Sequence, residues 1–264
     1  MNPFFKKRYL LFSALILTVA SFAVLMLLPD GRKPYLIFLS GAAMKVPVAE
    51  IAGKFEEKTG IRVLTVFEGS LTLRNYILNF MTGDVFLPGD RKVLDGLSEK
   101  GLLRENSFVA WHKAGILVSP RYKGEISGLD DLSRKGVRLA ISNPEMTSLG
   151  KLINKRILGR HPKGREILSN VVFFGSSTQE ILRKCREGNI DAVIEWEVMA
   201  YAPEGKGLLV VPIEKEYSIK DALYIGLLTT SRHPELAKRF YDFFAQEGKE
   251  IFNKHGYDVK GAGV

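Results

Sequence analysis

The sequence predicts an α/β fold of two lobes joined by a hinge of two crossing strands and preceded by an N-terminal transmembrane or signal helix. Three observations lead there. Short apolar runs alternate with amphipathic helical stretches in two successive units of similar rhythm. Two further apolar runs, at 115–118 and 222–229, flank the second unit as outward and return paths, and an uncharged run fills residues 9–28. The lobes so implied are residues 34–112 with 230–264, and residues 113–229; residues 1–33 stand apart.

Lys6, Lys7 and Arg8 precede the first apolar run, and Arg32 and Lys33 follow it. At a rise of about 1.5 Å per residue its length reaches about 30 Å, the thickness of a bilayer's hydrocarbon core. The basic N-terminal flank sets the rest of the chain outside. The length favours an uncleaved anchor over a signal peptide, whose apolar stretch is shorter and ends in a small-x-small site. Ser21-Phe22-Ala23 is the one passable site. The expected location is therefore extracytoplasmic, tethered to the membrane. No cysteine ends the run to carry a lipid. The single cysteine, Cys185, falls four residues after Ile181 on a helical pattern and reads as a small buried hydrophobe.

Residues 35–39 form a short apolar run, as a buried parallel strand requires. The small residues Ser40-Gly41-Ala42-Ala43 turn the chain into a helix opened by Pro47, with Val48, Ile51, Ala52 and Phe55 on its apolar face and Gly60 at its end. A strand over 61–67, the turn Glu68-Gly69-Ser70, a helix over 71–81, a strand over 84–87 and a helix over 91–100 complete the first unit. The second follows the strand at 115–118 and a helical turn at 129–132. It has strands at 137–141, 171–174 and 192–194, helices at 148–158 and 178–187, and one more strand at 208–213. The run at 222–229 then returns beside the strand at 115–118, placing the hinge near 111–115 and 215–221. His233-Pro234-Glu235 starts a last helix with Leu236, Ala237, Phe240 and Phe244 inward.

With 264 residues, 46% of them hydrophobic, the chain can bury one large or two modest cores. Of the net charge of +9, the segment 1–33 carries five positive and one negative charge, leaving +5 on the remainder. That modest field suits an anionic ligand. No run of like charges with interleaved aromatics points to nucleic acid. His112, His161, His233 and His255 are scattered without metal-ligand spacing, and no nucleophile-elbow, phosphate-loop or paired-cysteine motif occurs. The chain reads as a binding protein without a cofactor or resident metal, and not as an enzyme.

In open α/β sheets ligands lie beyond the carboxyl ends of the strands, where free N–H groups of helix N-termini can hold an anion without a cation. Three turns of small residues fit: Ser40-Gly41-Ala42-Ala43, Gly69-Ser70, and Thr147-Ser148 after Asn143-Pro144-Glu145-Met146. Each is also ordinary helix-capping chemistry on its own. A fourth candidate is Glu195-Trp196-Glu197 after the strand at 192–194, where continued alternation puts Glu195 and Glu197 on one side and Trp196 on the other.

Along nearly all of 33–257 the sequence resembles the binding proteins of molybdate and tungstate ABC importers. The likeness is carried by Ser40-Gly41-Ala42-Ala43-Met44-Lys45-Val46-Pro47, Gly69-Ser70, Gly83-Asp84-Val85-Phe86, Asn143-Pro144-Glu145 with Gly150, and residues 191–197. The resemblance implies a type II periplasmic-binding-protein fold that closes on a tetrahedral oxyanion and hands it to an ABC permease, acting as a monomer. It implies a site lined by Ser40, Gly41, Ala42, Ala43, Gly69, Ser70, Met146, Thr147, Glu195 and Trp196. Ala43 departs from the hydroxyl residue usual there, Thr147 stands where one branch has Asp, and an ionised Glu195 would repel a dianion. The alternatives are a binder of sulfate, phosphate or an organic acid, and a membrane-tethered sensor domain of the same fold.

Overall fold

The computed structural model describes residues 34–260. The expected anchor over 1–33 lies outside them, and among the described residues no helix is long and apolar enough to cross a membrane. The first half of the chain runs β1 (Tyr35–Gly41), a 3₁₀ turn (Ala42–Met44), α1 (Lys45–Thr59), β2 (Arg62–Glu68), α2 (Ser70–Phe80), β3 (Val85–Leu87) and α3 (Arg91–Ser98). Val48, Ile51, Ala52 and Phe55 of α1 are buried at helical spacing, and α1 stops at Gly60, whose left-handed backbone lets its N–H reach the Glu56 carbonyl.

The strand expected at 115–118 is the end of a much longer one, β4 (Leu103–Val118). Its first residues escape a periodicity reading for a physical reason. Arg104, Glu105 and Asn106 are exposed, and the register shifts twice, between Leu103 and Glu105 and between Phe108 and Ala110. Beyond β4 come a 3₁₀ turn (Leu129–Ser133), β5 (Leu139–Ser142), α4 (Ser148–Ile153) running into a wider turn (Asn154–Leu158), α5 (Gly164–Ser169), β6 (Val171–Gly175), α6 (Thr178–Arg186), β7 (Ala192–Trp196), a 3₁₀ turn (Glu197–Ala200) and β8 (Leu209–Pro212). The short α5 was not expected. The chain returns through β9 (Lys220–Leu228) and ends in α7 (Pro234–Lys254).

The described residues form one nine-stranded sheet in the order β2-β1-β3-β9-β4-β7-β5-β6, with β8 also on β4. β4 changes partners along its length. Residues Leu103 to Lys113 pair with β9, Ala114 to Val118 pair with β7 on one side, and Gly115 to Val118 pair with β8 on the other. The return strand therefore runs beside the first part of β4 and not beside Gly115 to Val118, which corrects the expected pairing. Parallel pairs β1/β3 and β5/β6/β7 lie on either side of this antiparallel centre. They direct the carboxyl ends of β1, β5, β6 and β7 toward the turns that carry the candidate site.

α7 packs against α1 through Phe240, whose ring meets Phe38 edge-on at 5.3 Å and Phe55 at 5.0 Å. Cys185 is buried as expected, and burial pushes its thiol up to about 11, out of the reactive range. In the second half, wholly buried Asp191 ties the start of β7 to β5: it accepts the Arg138 backbone N–H at 2.8 Å and faces the Arg138 guanidinium at 2.5 Å. Burial alone would raise this carboxyl, but the Arg138 hydrogen bonds outweigh it and hold it below the usual carboxylate range. Asp191→Ala is expected to cost about 2 kcal/mol in urea unfolding at neutral pH, since it leaves the Arg138 backbone N–H without its acceptor and takes a charged acceptor from a guanidinium that stays partly in solvent. A loss under about 0.5 kcal/mol, the scale of an ordinary surface change, would contradict this role.

Candidate ligand-binding site

Four chain segments leave strand ends and start helices around one cavity of about 340 Å³, its open mouth included. Gly41 closes β1 and leads through Ala42–Met44 into α1; Gly69 precedes α2; Thr147 caps α4; Ser177 caps α6. The Thr147 hydroxyl accepts the Gly150 N–H at 3.0 Å and donates to the Asn143 carbonyl at 2.9 Å, which fixes the entry of α4. Ser177 accepts the Glu180 N–H at 3.4 Å. The first N–H groups of each helix have no acceptor within their own helix, and the positive ends of the helix dipoles face the same space.

Hydrogen bonds between segments hold the hydroxyls in orientation. The Gly89 N–H donates to Ser70 Oγ at 2.9 Å, and His112 Nε2 lies 3.0 Å from the Gly89 carbonyl, which can only accept. His112 is buried, stacked on Trp196 at 3.4 Å, and its imidazole is pushed down to about 3 by burial, so it stays neutral. This chain leaves the Ser70 hydroxyl proton free to donate into the cavity. Across the cavity, Gln179 Nε2 donates to the Ala42 carbonyl at 2.6 Å. Gly69 comes so close to the Met146 carbonyl that a Cβ there would overlap it.

Of the residues singled out in the sequence, Gly41, Ala42, Ala43, Gly69, Ser70 and Thr147 line the cavity, together with Glu195 and Trp196. Two do not. Ser40 is wholly buried, its hydroxyl donating to the Gly41 carbonyl at 3.3 Å, and Met146 contributes only the carbonyl that abuts Gly69. Gly89, Ser142, Ser148, Ser177 and Thr178 line it as well. The last two follow the rule that found the other turns, small polar residues between a strand and a helix. Gly89 arrives only through its tertiary bonds to Ser70 and His112, which no local pattern reveals. Among the described residues no Lys, Arg or His lines the cavity.

The 195–197 segment differs from the alternation expected of it. β7 ends at Trp196 and the 3₁₀ turn begins at Glu197. Glu195 and Trp196 therefore both line the cavity, while Glu197 turns to an ion pair with Lys113 at 3.2 Å. Glu195 is fully buried. Its Oε1 accepts the Trp196 N–H at 2.9 Å, and its Oε2 has no partner. Burial pushes the carboxyl up to about 7, against the Trp196 N–H and against the Thr178 and Ser142 hydroxyls, which lie near enough to favour the charged form but make no hydrogen bond of good geometry to Oε2.

The sign of the stability effect follows from that direction. Between about pH 4.5 and about pH 7 the folded chain keeps a proton at Glu195 that the unfolded chain has lost, so stability falls as pH rises through this window and levels off above it. Glu195→Gln removes the slope. Its stability relative to the unsubstituted protein, read from urea midpoints, is expected to gain by up to about 3 kcal/mol between about pH 5 and about pH 8. An equal difference at the two pH values would contradict a buried, proton-holding carboxyl.

The family model described as bacterial extracellular solute-binding protein matches residues 36–258. A Haemophilus influenzae protein named as a binding protein is 26% identical over 235 residues, covering 84% of this chain and 90% of that one. The molybdate-binding protein ModA of Escherichia coli is 23% identical over 233 residues, covering 84% and 88%. Among solved structures, a periplasmic thiamin binding protein superposes with a TM-score of 0.73 at 16% identity, covering 89% of this chain and 86% of that one. A likeness at that identity speaks for the fold and leaves the ligand to be argued from the cavity.

Proposed function

Because this chain belongs to the family of bacterial extracellular solute-binding proteins, we propose that its cavity captures a small tetrahedral oxyanion, molybdate or tungstate, for delivery to the permease of an ABC importer. The observation that carries this reading is the convergence of four helix starts, bordered by small residues and hydroxyls, on a cavity that no Lys, Arg or His among the described residues lines. Neutral donors of this kind suit a compact anion, which needs many short hydrogen bonds from all sides and little apolar surface. The similarity to the molybdate-binding protein supports the same choice. Ser148, Ser177 and Thr178 offer hydroxyls that make up for the one missing at Ala43.

The hinge of this reading lies where β4 changes partners, between Lys113 and Ala114, dividing residues 34–112 with 230–264 from residues 113–229. Gln179 on Ala42 and Gly69 against Met146 are then the contacts of the closed form. Residues 1–33 tether the protein outside the cell membrane, where the closed form meets its permease.

Thermal unfolding of the purified protein with molybdate, tungstate, sulfate, phosphate or thiamin tests the ligand. A ligand at about a hundred times its Kd adds about 2.7 kcal/mol and raises the melting temperature by several degrees. Molybdate and tungstate are expected to give the largest shifts. Gly69→Ala, whose new methyl meets the Met146 carbonyl only on closure, is expected to keep the ligand-free melting temperature and lose most of the shift. A shift with thiamin alone would overturn the oxyanion reading, and an undiminished shift in Gly69→Ala would overturn the closure contact.

A further inference from the structure

Among the described residues Glu195 is the fully buried carboxyl that lines the cavity, and its geometry is not that of a structural acid. Oε1 is satisfied by the Trp196 N–H at 2.9 Å, yet Oε2 of this cavity-lining residue is buried without a hydrogen-bond partner. A buried carboxylate oxygen left bare is costly, and no cationic side chain among the described residues borders the cavity to offset it. The hydroxyls of Ser142 and Thr178 lie in the same lining and can satisfy a carboxyl or a ligand, but they carry no charge. A dianion seated against an ionised Glu195 would meet like charge at contact distance in a site shielded from water.

Resting on the oxyanion reading above, we propose that Glu195 binds its ligand as the neutral acid: Oε2 carries a proton and donates it to a fully deprotonated oxyanion, so that wherever the carboxyl of the free protein is ionised one proton is taken up with each such anion. The balance is simple. An ionised carboxylate, a proton from solvent and the dianion become a carboxylic acid hydrogen-bonded to the dianion, with no covalent bond to the ligand made or broken. The pocket then gains a charge-assisted donor in place of a repelling charge. It also gains a specificity element, because an anion that must itself donate a proton finds no acceptor at this position.

The groups around Glu195 leave it free to titrate alone. From the C-terminal tail, Tyr257 donates to the Ala43 carbonyl at 3.0 Å, and burial, then the charge of Glu195, push its phenol upward. From β4, His112 stands behind Trp196 and is held neutral by burial. Glu197 is turned away to Lys113. At the mouth, burial and then the charge of Glu180 raise Glu68, while Glu180 accepts the Ser176 N–H at 2.7 Å. Any pH dependence from these rim carboxylates survives in a Glu195→Gln protein, which separates them from Glu195 itself. The carboxyl, poised at about 7, is positioned to exchange its proton near neutral pH.

Calorimetric titration with molybdate and with sulfate between about pH 6 and about pH 8.5, in two buffers of different ionisation enthalpy, tests this. Affinity of the unsubstituted protein is expected to fall about tenfold per pH unit above about pH 7, with uptake approaching one proton per anion. Glu195→Gln, whose amide still donates, is expected to bind with affinity flat in pH. Binding that is flat in pH with no proton uptake in the unsubstituted protein overturns the proposal whether or not the variant folds, as does an unchanged slope in Glu195→Gln. Inorganic phosphate binding more tightly than molybdate, with affinity held or rising with pH, makes Glu195 an acceptor and overturns it too. Failure of every anion to bind at any pH overturns the oxyanion reading of the site with it.

Discussion

A helix begins with backbone N–H groups that its own carbonyls cannot reach, and burying them without acceptors is unfavourable. In this protein several such beginnings face a single cavity, at Ala42, Ser70, Ser148 and Thr178. The arrangement constrains the rest. Each strand must end level with the others, each connecting turn must be short and built of small residues, and no side chain can fill the space between. Gly41, Gly69 and Gly89 meet that demand at positions where an added Cβ would press on Met44, the Met146 carbonyl and Ser148 respectively. The donors satisfy some of one another, as Thr147 does for Gly150 and Ser70 for Gly89, and leave the remainder to a ligand.

The long strand β4 gives this cavity two sides. Its first part belongs to the side of the sheet made by β1, β3 and β9, and its last five residues belong to the side made by β5, β7 and β8. One continuous strand thus carries the register from one half to the other, and β9 runs back beside it. The C-terminal tail adds a bridge at Trp111, whose N–H donates to the Asp258 carbonyl at 2.6 Å. His112 and Trp196 stack just where the partners of β4 change, so the packed rings join the crossing to the cavity wall.

Much of the architecture was legible because it rests on local patterns. The run 35–39 ends in Ser40-Gly41, the apolar spacing of α1 stops at Gly60, and Thr147 sits where a cap must. What escaped depends on contacts between distant segments. The first part of β4 is polar and bulged, and only its pairing with β9 makes it a strand. Gly89 and His112 belong to the site through hydrogen bonds that no spacing encodes. The direction of Glu195 and Trp196 turns on where β7 stops, and alternation carried one residue too far sends Glu197 to the wrong side. The family was legible from the turns themselves. The upward pull of burial on the Glu195 carboxyl was not legible, because it comes from surroundings that the residue's name alone does not disclose.

The central claim is that backbone amides from both halves of the protein converge on one anion. Amide chemical shifts of the isotopically labelled protein, followed while molybdate is added, test it most directly. The account predicts that the amide protons of Ala43, Ser70, Leu149 and Thr178 move downfield together and saturate at one common concentration. Binding that shifts the amides of a single turn, or of residues away from these helix starts, would contradict it.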